Sequence, residues 1–156
     1  KDIIISVQAL DENGKILSIP KEKIKFSYRK TSLDSNLIFL SATLKGQKGK
    51  KSKIKEKIIS FKEKKNKSQP SKIKTGGSTF KNPIDQTKQK VWQLIKESVP
   101  LDIEFGDAKI SKKHCNFFVN SNKAKFDEMK GLMDFVKKKV KSKTGIIIEP
   151  EIIVVE

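Results

Sequence analysis

Apolar residues in this chain come in short packets, and the spacing inside the packets changes along its length. Ile3 to Leu10 is a dense run that predicts a buried strand. Asp11-Glu12-Asn13-Gly14 then supplies an Asn-Gly hairpin turn, and Ile16 to Ile19 returns. Ile24 to Tyr28 alternates apolar and polar residues, and Leu37 to Leu44 reads as a further strand. Residues 45–53 are rich in Gly and Lys and predict a loop. From Ser52 to Asn66 the period lengthens: Ile54, Ile58 and Phe61 fall at helical spacing, which predicts an amphipathic helix ended by Ser68-Gln69-Pro70.

Beyond that proline, Val91, Trp92, Leu94 and Ile95 predict a helix over 85–98. Short strands are expected at 107–110 and 116–120. Phe126, Met129, Met133, Val136 and Val140 recur at steps of three and four, and Gly145 follows as a C-cap. That stripe reads as core. Ile146 to Ile148 and Ile152 to Val155, interrupted by Glu149-Pro150-Glu151, predict a final strand. The order of elements predicts an α+β fold: an antiparallel-rich β segment, a linker helix, then a mixed α/β domain.

Charge modifies this picture. The net charge is +17, which ordinarily points towards nucleic acid. Yet of 35 Lys and Arg residues only Arg29 is an arginine, and guanidinium is the preferred fork for bases and phosphates. The excess lysine reads mainly as a solubilising surface. The lone Arg29 then marks a place that needs a planar, bidentate donor. Cys115 is the only cysteine, so no intrachain disulfide can form, and a reducing compartment fits. No apolar run approaches the ~20 residues that a membrane helix requires.

The densest chemistry lies at 74–83, Lys-Thr-Gly-Gly-Ser-Thr-Phe-Lys-Asn-Pro. Two glycines allow a close backbone approach, a hydroxyl follows, and an ammonium, an amide and a proline fix the geometry, so the stretch reads as an anion-cradling turn presenting Ser78. Ser-x-x-Lys pairs occur at Ser18, Ser27, Ser52, Ser71 and Ser78, as chance dictates in so lysine-rich a chain, and no Ser-Asp-Asn completes an acyl-serine set. A metal site is not expected. His114 and Cys115 are adjacent and would point to opposite faces of a strand, with no other His or Cys to join them. His114 sits among polar residues at a strand entrance, which suits either a structural or a ligand-contact role. Glu151, just after Pro150 and before an apolar run, reads as either an edge residue or an acid tuned by partial burial and by a cation such as Arg29.

Together these segments resemble one family. Tyr28-Arg29-Lys30-Thr31-Ser32 is similar to its Tyr-Arg-x-Ser motif. Ser68-Gln69-Pro70 with Gly76-Gly77-Ser78-Thr79-Phe80-Lys81-Asn82-Pro83 resembles its signature. Gly106-Asp107-Ala108, Ser111 with His114 and Asn116-Phe117, and Glu149-Pro150-Glu151 follow in the right order. The family is UDP-N-acetylenolpyruvoylglucosamine reductase, also called UDP-N-acetylmuramate dehydrogenase, of bacterial peptidoglycan synthesis. The resemblance covers essentially the whole chain.

What the resemblance implies is a cytoplasmic flavoenzyme: NADPH reduces FAD, the flavin passes hydride to an enolpyruvyl double bond, and Ser78 protonates the resulting carbanion. Arg29 and Glu151 would polarise the substrate carboxylate. Tyr28, Lys67, Asn82 and His114 match positions of substrate contact. The UDP-sugar is the implied partner, with no nucleic acid, membrane or obligate protein partner expected. The chain would hold the later part of a flavin-binding domain with its linker helix (1–68), a substrate-binding domain (69–145) and a closing strand (146–156), and would contact FAD and NADPH little by itself. Three positions depart from the family pattern: Leu101 stands where Arg or Lys is usual, and Lys64 and Ile152 where arginine is usual. A lysine-rich, non-enzymatic module for RNA or anionic surfaces is the alternative reading, and a degenerate family member kept as a structural protein is a third.

Overall fold

The computed structural model describes residues 1–155 and divides into two compact units, Lys1–Ile54 and the residues from Lys55 onward. In the first unit β1 (Ile4–Leu10) pairs antiparallel with β2 (Ile16–Pro20) on one side and with β5 (Ile38–Leu44) on the other. The β1–β2 turn is built as its sequence predicts. Gly14 takes φ 77°. The Asp11 carboxylate accepts the N–H groups of Asn13 and Lys15 at 3.0 and 2.8 Å, holding the turn in an Asx arrangement. Two short strands, β3 (Phe26–Ser27) and β4 (Lys30–Thr31), form a hairpin whose tip is Tyr28-Arg29. Ala9 and Ile24 are the buried apolar side chains of this unit.

Helix α1 (Lys51–Ser68) carries the chain from the first unit into the second. It begins inside the stretch expected to be loop and ends where Gln69-Pro70 was expected to stop it. Its apolar stripe is not buried in the described residues: Ile54, Ile58 and Phe61 are all about half exposed.

The second unit is a four-stranded antiparallel sheet with two helices packed on it. The strands are β6 (Lys74–Ser78), β7 (Glu104–Phe105), β8 (Ala108–Ile110) and β9 (Phe117–Asn120), in the order β6-β9-β8-β7. The helices are α2 (Val91–Ser98) and α3 (Phe126–Thr144). The core gathers Phe80, Leu94, Ile95, Ile110, Phe118, Leu132, Val136, Val140 and Ile148. Leu132, Val136 and Val140 lie one turn apart on α3, so a single face faces inward. Phe126, expected in that stripe, is half exposed, with the Lys130 ammonium 5.6 Å from its ring centroid. Gly145 ends α3 in the left-handed conformation, φ 73°, as its C-cap position requires.

Two expectations are corrected here. Helix α2 starts at Val91, not near Asp85, because the Asn82 amide oxygen accepts the Val91 N–H at 3.0 Å and Gln93 accepts the Lys90 N–H at 2.8 Å. And residues 146–155 form no strand: Pro150 makes an isolated bridge to Phe80, and the chain bends at 151–152. Ile147 has its backbone N–H and C=O bound by the side-chain amide of Gln86, at 2.9 and 2.8 Å, so a side chain takes the place of a neighbouring strand.

Because the Leu132 side chain is fully enclosed, Leu132→Ala is expected to cost about 2–5 kcal/mol in urea unfolding of the full-length protein. Ile58→Ala on the uncovered stripe of α1 is expected to move the transition by less than ~1 kcal/mol. Equal shifts for the two would mean that α1 is packed as tightly as α3.

Candidate active site

Lys74–Ser78 is a strand, not the turn its glycines suggested. Lys74 and Thr75 pair with Asn120 and Val119 of β9, and Ser78 pairs with Phe117, with a register shift between Thr75 and Ser78. The glycines make that bulge. Gly77 has φ 89°, where a side chain would be strained, and a Cβ on Gly76 would come within 3.4 Å of the Ile152 side chain. The Thr75 hydroxyl donates to the Phe118 carbonyl at 2.7 Å and accepts the Gly77 N–H at 3.2 Å, locking the bulge from beneath. Ser78 is thereby set at the end of a bent strand, half-buried.

The residues after Ser78 are held on both sides. Asn116, buried in the domain, accepts the Phe80 N–H at 3.0 Å and donates to the Phe80 carbonyl at 2.9 Å, while the Thr79 N–H donates to the Asn116 carbonyl at 2.8 Å. On the far side, Phe80 bridges Pro150 antiparallel. The Glu151 N–H donates to the Thr79 carbonyl at 2.8 Å and the Lys81 N–H to the Glu149 carbonyl at 2.9 Å. Ser78 and Glu151 therefore sit on adjoining segments of one clasp.

His114 joins this neighbourhood through Phe117, the ladder partner of Ser78: the two rings meet edge-to-face at 4.9 Å. His114 Nδ1 accepts the Asn116 N–H at 3.3 Å, so the neutral ring carries its proton on Nε2. Burial lowers the His114 pKa from its ordinary 6.5. Beside it the Cys115 thiol donates to the Trp92 carbonyl at 3.0 Å, and burial pushes its pKa up, as befits an inert, structural cysteine.

The loop between β8 and β9 lines a cleft of about 360 Å³ together with α2 and the end of α1: Trp92, Lys96 and Leu101 on one side, Ser111 to Cys115 on the other, with Ser68. None of these residues is acidic. The Lys113 ammonium also donates to the Asn66 carbonyl, fastening the last turn of α1, where Lys67 lies, to the cleft.

Of the residues expected to act, Ser78, Glu151, His114, Asn82 and Lys67 belong to this second unit. Asn82 also caps α2, a structural task the sequence did not suggest. Tyr28 and Arg29 form the β3–β4 tip in the first unit. Arg29 is left-handed there, φ 58°, and its guanidinium carbon lies 5.5 Å from the Tyr28 ring centroid. Sequence reasoning missed Asn116 as the organiser of the clasp. Its only signal was a buried-strand context around a side chain that can both donate and accept. Among the described residues no three His, Cys, Asp or Glu side chains gather to hold a metal ion, and no helix is long and apolar enough to cross a membrane.

Ser78 and Glu151 thus lie on one clasp, and the cleft lined by Trp92, Lys96, Lys112 and Lys113 adjoins it through the His114–Phe117 contact. Residues 69–155 match the family described as UDP-N-acetylenolpyruvoylglucosamine reductase, C-terminal domain. The chain belongs to that family. Over 152 residues it is 58% identical to the UDP-N-acetylenolpyruvoylglucosamine reductase of Pelagibacter ubique, covering 97% of this chain and 50% of that protein. It is 37% identical to the protein of the same name from Paramagnetospirillum magneticum, again over 97% of this chain. The crystal structure of UDP-N-acetylenolpyruvylglucosamine reductase from Thermus caldophilus aligns with a TM-score of 0.75 at 27% identity, over 96% of this chain and 52% of that one. The chain thus spans about half the length of the curated relatives it matches.

A histidine whose folded pKa lies below its unfolded value leaves the unfolded chain binding more protons, so stability rises with pH between the lowered value and 6.5. The urea midpoint is therefore expected to fall on acidification from pH 7 to 5, and His114→Gln is expected to reduce that fall. An identical pH profile in the variant would show that His114 does not carry it.

Proposed function

We propose that this chain is the C-terminal part of a reductase that converts UDP-N-acetylglucosamine enolpyruvate to UDP-N-acetylmuramate with NADPH, a cytoplasmic step of peptidoglycan synthesis. The observation that carries the reading is the clasp that sets Ser78 beside Glu151, in a chain of this family.

FAD is the group the reaction needs, and the residues present do not by themselves fit it. A dinucleotide is ordinarily cradled where a glycine-rich turn opens a helix, with backbone N–H groups aimed at the phosphates. Here the glycine pair lies inside a paired strand, and its bulge is closed by the Thr75 hydroxyl and the Ile152 side chain. Most contacts to FAD and NADPH are therefore assigned to residues outside this chain. When bound, the flavin would supply the hydride.

The chain's own residues handle the proton and the charge on the substrate. Addition of hydride to the enolpyruvyl double bond pushes its electron pair onto the carbon beside the carboxylate. Ser78 delivers its hydroxyl proton to that carbon, and the new C–H bond takes up the pair. An alcohol is a weak acid, but a carbanion is a strong base. Arg29 and Glu151 engage the carboxylate, where negative charge accumulates: a guanidinium fork suits two oxygens, and a protonated carboxyl can add a donor. Tyr28, Lys67, Asn82 and His114 bind the rest of the UDP-sugar. In this reading residues 1–68 complete the flavin-binding domain, 69–145 bind substrate, and the segment from 146 closes over it.

In the full-length protein, Ser78→Ala is expected to leave flavin reduction by NADPH intact, followed at 450 nm, while slowing enolpyruvyl turnover by roughly 10²–10⁴-fold. Equal loss in both half-reactions would remove the proton-donor role. The isolated 156 residues are expected to purify without flavin, and stoichiometric flavin absorbance would refute the assignment of its contacts elsewhere.

A further inference from the structure

Asn116 has all four of its hydrogen-bonding groups engaged, and three of them act on the two residues after Ser78. Its backbone N–H donates to His114 Nδ1 at 3.3 Å, and its carbonyl accepts the Thr79 N–H at 2.8 Å. Its amide oxygen accepts the Phe80 N–H at 3.0 Å, and its amide nitrogen donates to the Phe80 carbonyl at 2.9 Å. The residue is 4% exposed, so water cannot stand in for either side-chain bond.

Strand register gives this arrangement its consequence. Thr75 pairs with Val119 and Ser78 with Phe117, so Gly76 and Gly77 together stand opposite Phe118 alone. Without that bulge Ser78 would fall opposite Asn116, and its side chain would point to the other face of the sheet. Threonine hydroxyls fill the gap the bulge opens: Thr75 donates to the Phe118 carbonyl at 2.7 Å, and Thr79 accepts the Phe118 N–H at 3.3 Å. Asn116 fixes where the chain rejoins the sheet, because its amide takes both backbone groups of Phe80. The Thr79 carbonyl, held in the same way, then receives the Glu151 N–H.

We infer that Asn116 is the positioning residue of the proton donor: its amide holds 78–80 in the bulged register, which chooses the face of Ser78 and its spacing from Glu151. This inference rests on the reading above, in which Ser78 gives up its proton to the substrate. Asn116 acts through Ser78 and takes no part in the chemistry itself.

The test uses the full-length protein, with flavin reduction by NADPH and enolpyruvyl turnover measured separately. Asn116→Ala is expected to lower kcat for turnover by about 10–10²-fold, with KM for the enolpyruvyl substrate within about threefold and flavin reduction unchanged. The solvent deuterium isotope effect on kcat is expected to rise, because proton delivery becomes the slow step. Asn116→Asp still accepts the Phe80 N–H but, ionised, has no donor for the Phe80 carbonyl. Its turnover is expected to recover towards the parent as the pH falls and the carboxyl regains a proton, a recovery that Asn116→Ala lacks. Leu132→Ala on α3 is the comparison for lost stability alone, and its isotope effect is expected to match the parent's.

Equal loss of both half-reactions, with an unchanged isotope effect, would make Asn116 a folding residue and overturn the inference. Parental kcat in Asn116→Ala would overturn it too. Should the alanine variant fail to fold, Asn116→Asp decides, and a ratio to the parent that does not move with pH counts against the role. A parent that reduces flavin but does not turn over the enolpyruvyl substrate would overturn the reading and the inference together.

Discussion

The second unit depends on one constraint: every backbone hydrogen-bonding group around Phe80 must find a partner once that ring is buried. Phe80 is 1% exposed and meets Phe118 edge-to-face at 5.7 Å. A segment carried so deep cannot leave its N–H and C=O groups to water, and an unpaired buried group costs more than a made bond returns. Asn116 supplies both partners for Phe80 from one amide and accepts the Thr79 N–H at its carbonyl, and the chain at 149–151 partners the Thr79 carbonyl and the Lys81 N–H. The clasp is the consequence. It sets Ser78 and Glu151 on adjoining segments although nearly half the chain lies between them.

The second glycine has a backbone reason. Ile152 passes over Gly76, where a Cβ would meet it at an ordinary 3.4 Å, whereas Gly77 takes φ 89°, where a side chain would be strained. The bulge turns the strand just before Ser78. A motif whose composition suggested an anion-cradling turn thus owes Gly77 to the bulge. The serine's placement needs no cradle to explain it.

Much of this was legible in the sequence, for reasons that are physical. The Asn-Gly hairpin and the C-cap at Gly145 were readable because left-handed backbone is cheap for glycine. Helix α3 was readable because its inward face repeats at a period that only a helix satisfies. What was not legible shares a cause: a side chain stood in for backbone. Asn82 and Gln93 delayed the start of α2, and Gln86 took up the hydrogen bonds a last strand would have made. No hydrophobic period records such substitutions. Strand β7, two residues long and paired with β8, was too short to leave a pattern. The stripe on α1 misled in the opposite way, since periodicity reports which residues could be buried and not what covers them.

Charge obeys the same logic of position over composition. The lysine excess says little as a total, because most ammonium groups lie on exposed faces, where water screens them. It becomes informative where geometry singles out a few. Between β8 and β9 the chain turns through Ser111-Lys112-Lys113-His114, and Cys115 anchors that turn to α2 through the Trp92 carbonyl. The thiol bond keeps loop and helix together, so cations on two separate elements face one space with no carboxylate among its lining residues to neutralise them. Arg29 is the counterpart in the first unit. It is left-handed at a hairpin tip, φ 58°, at a cost of about 1–2 kcal/mol, but Lys72 takes the same conformation at φ 61°, so the strain belongs to the backbone position and not to the guanidinium. What distinguishes Arg29 is its contact with the Tyr28 ring, 5.5 Å from the guanidinium carbon to the centroid.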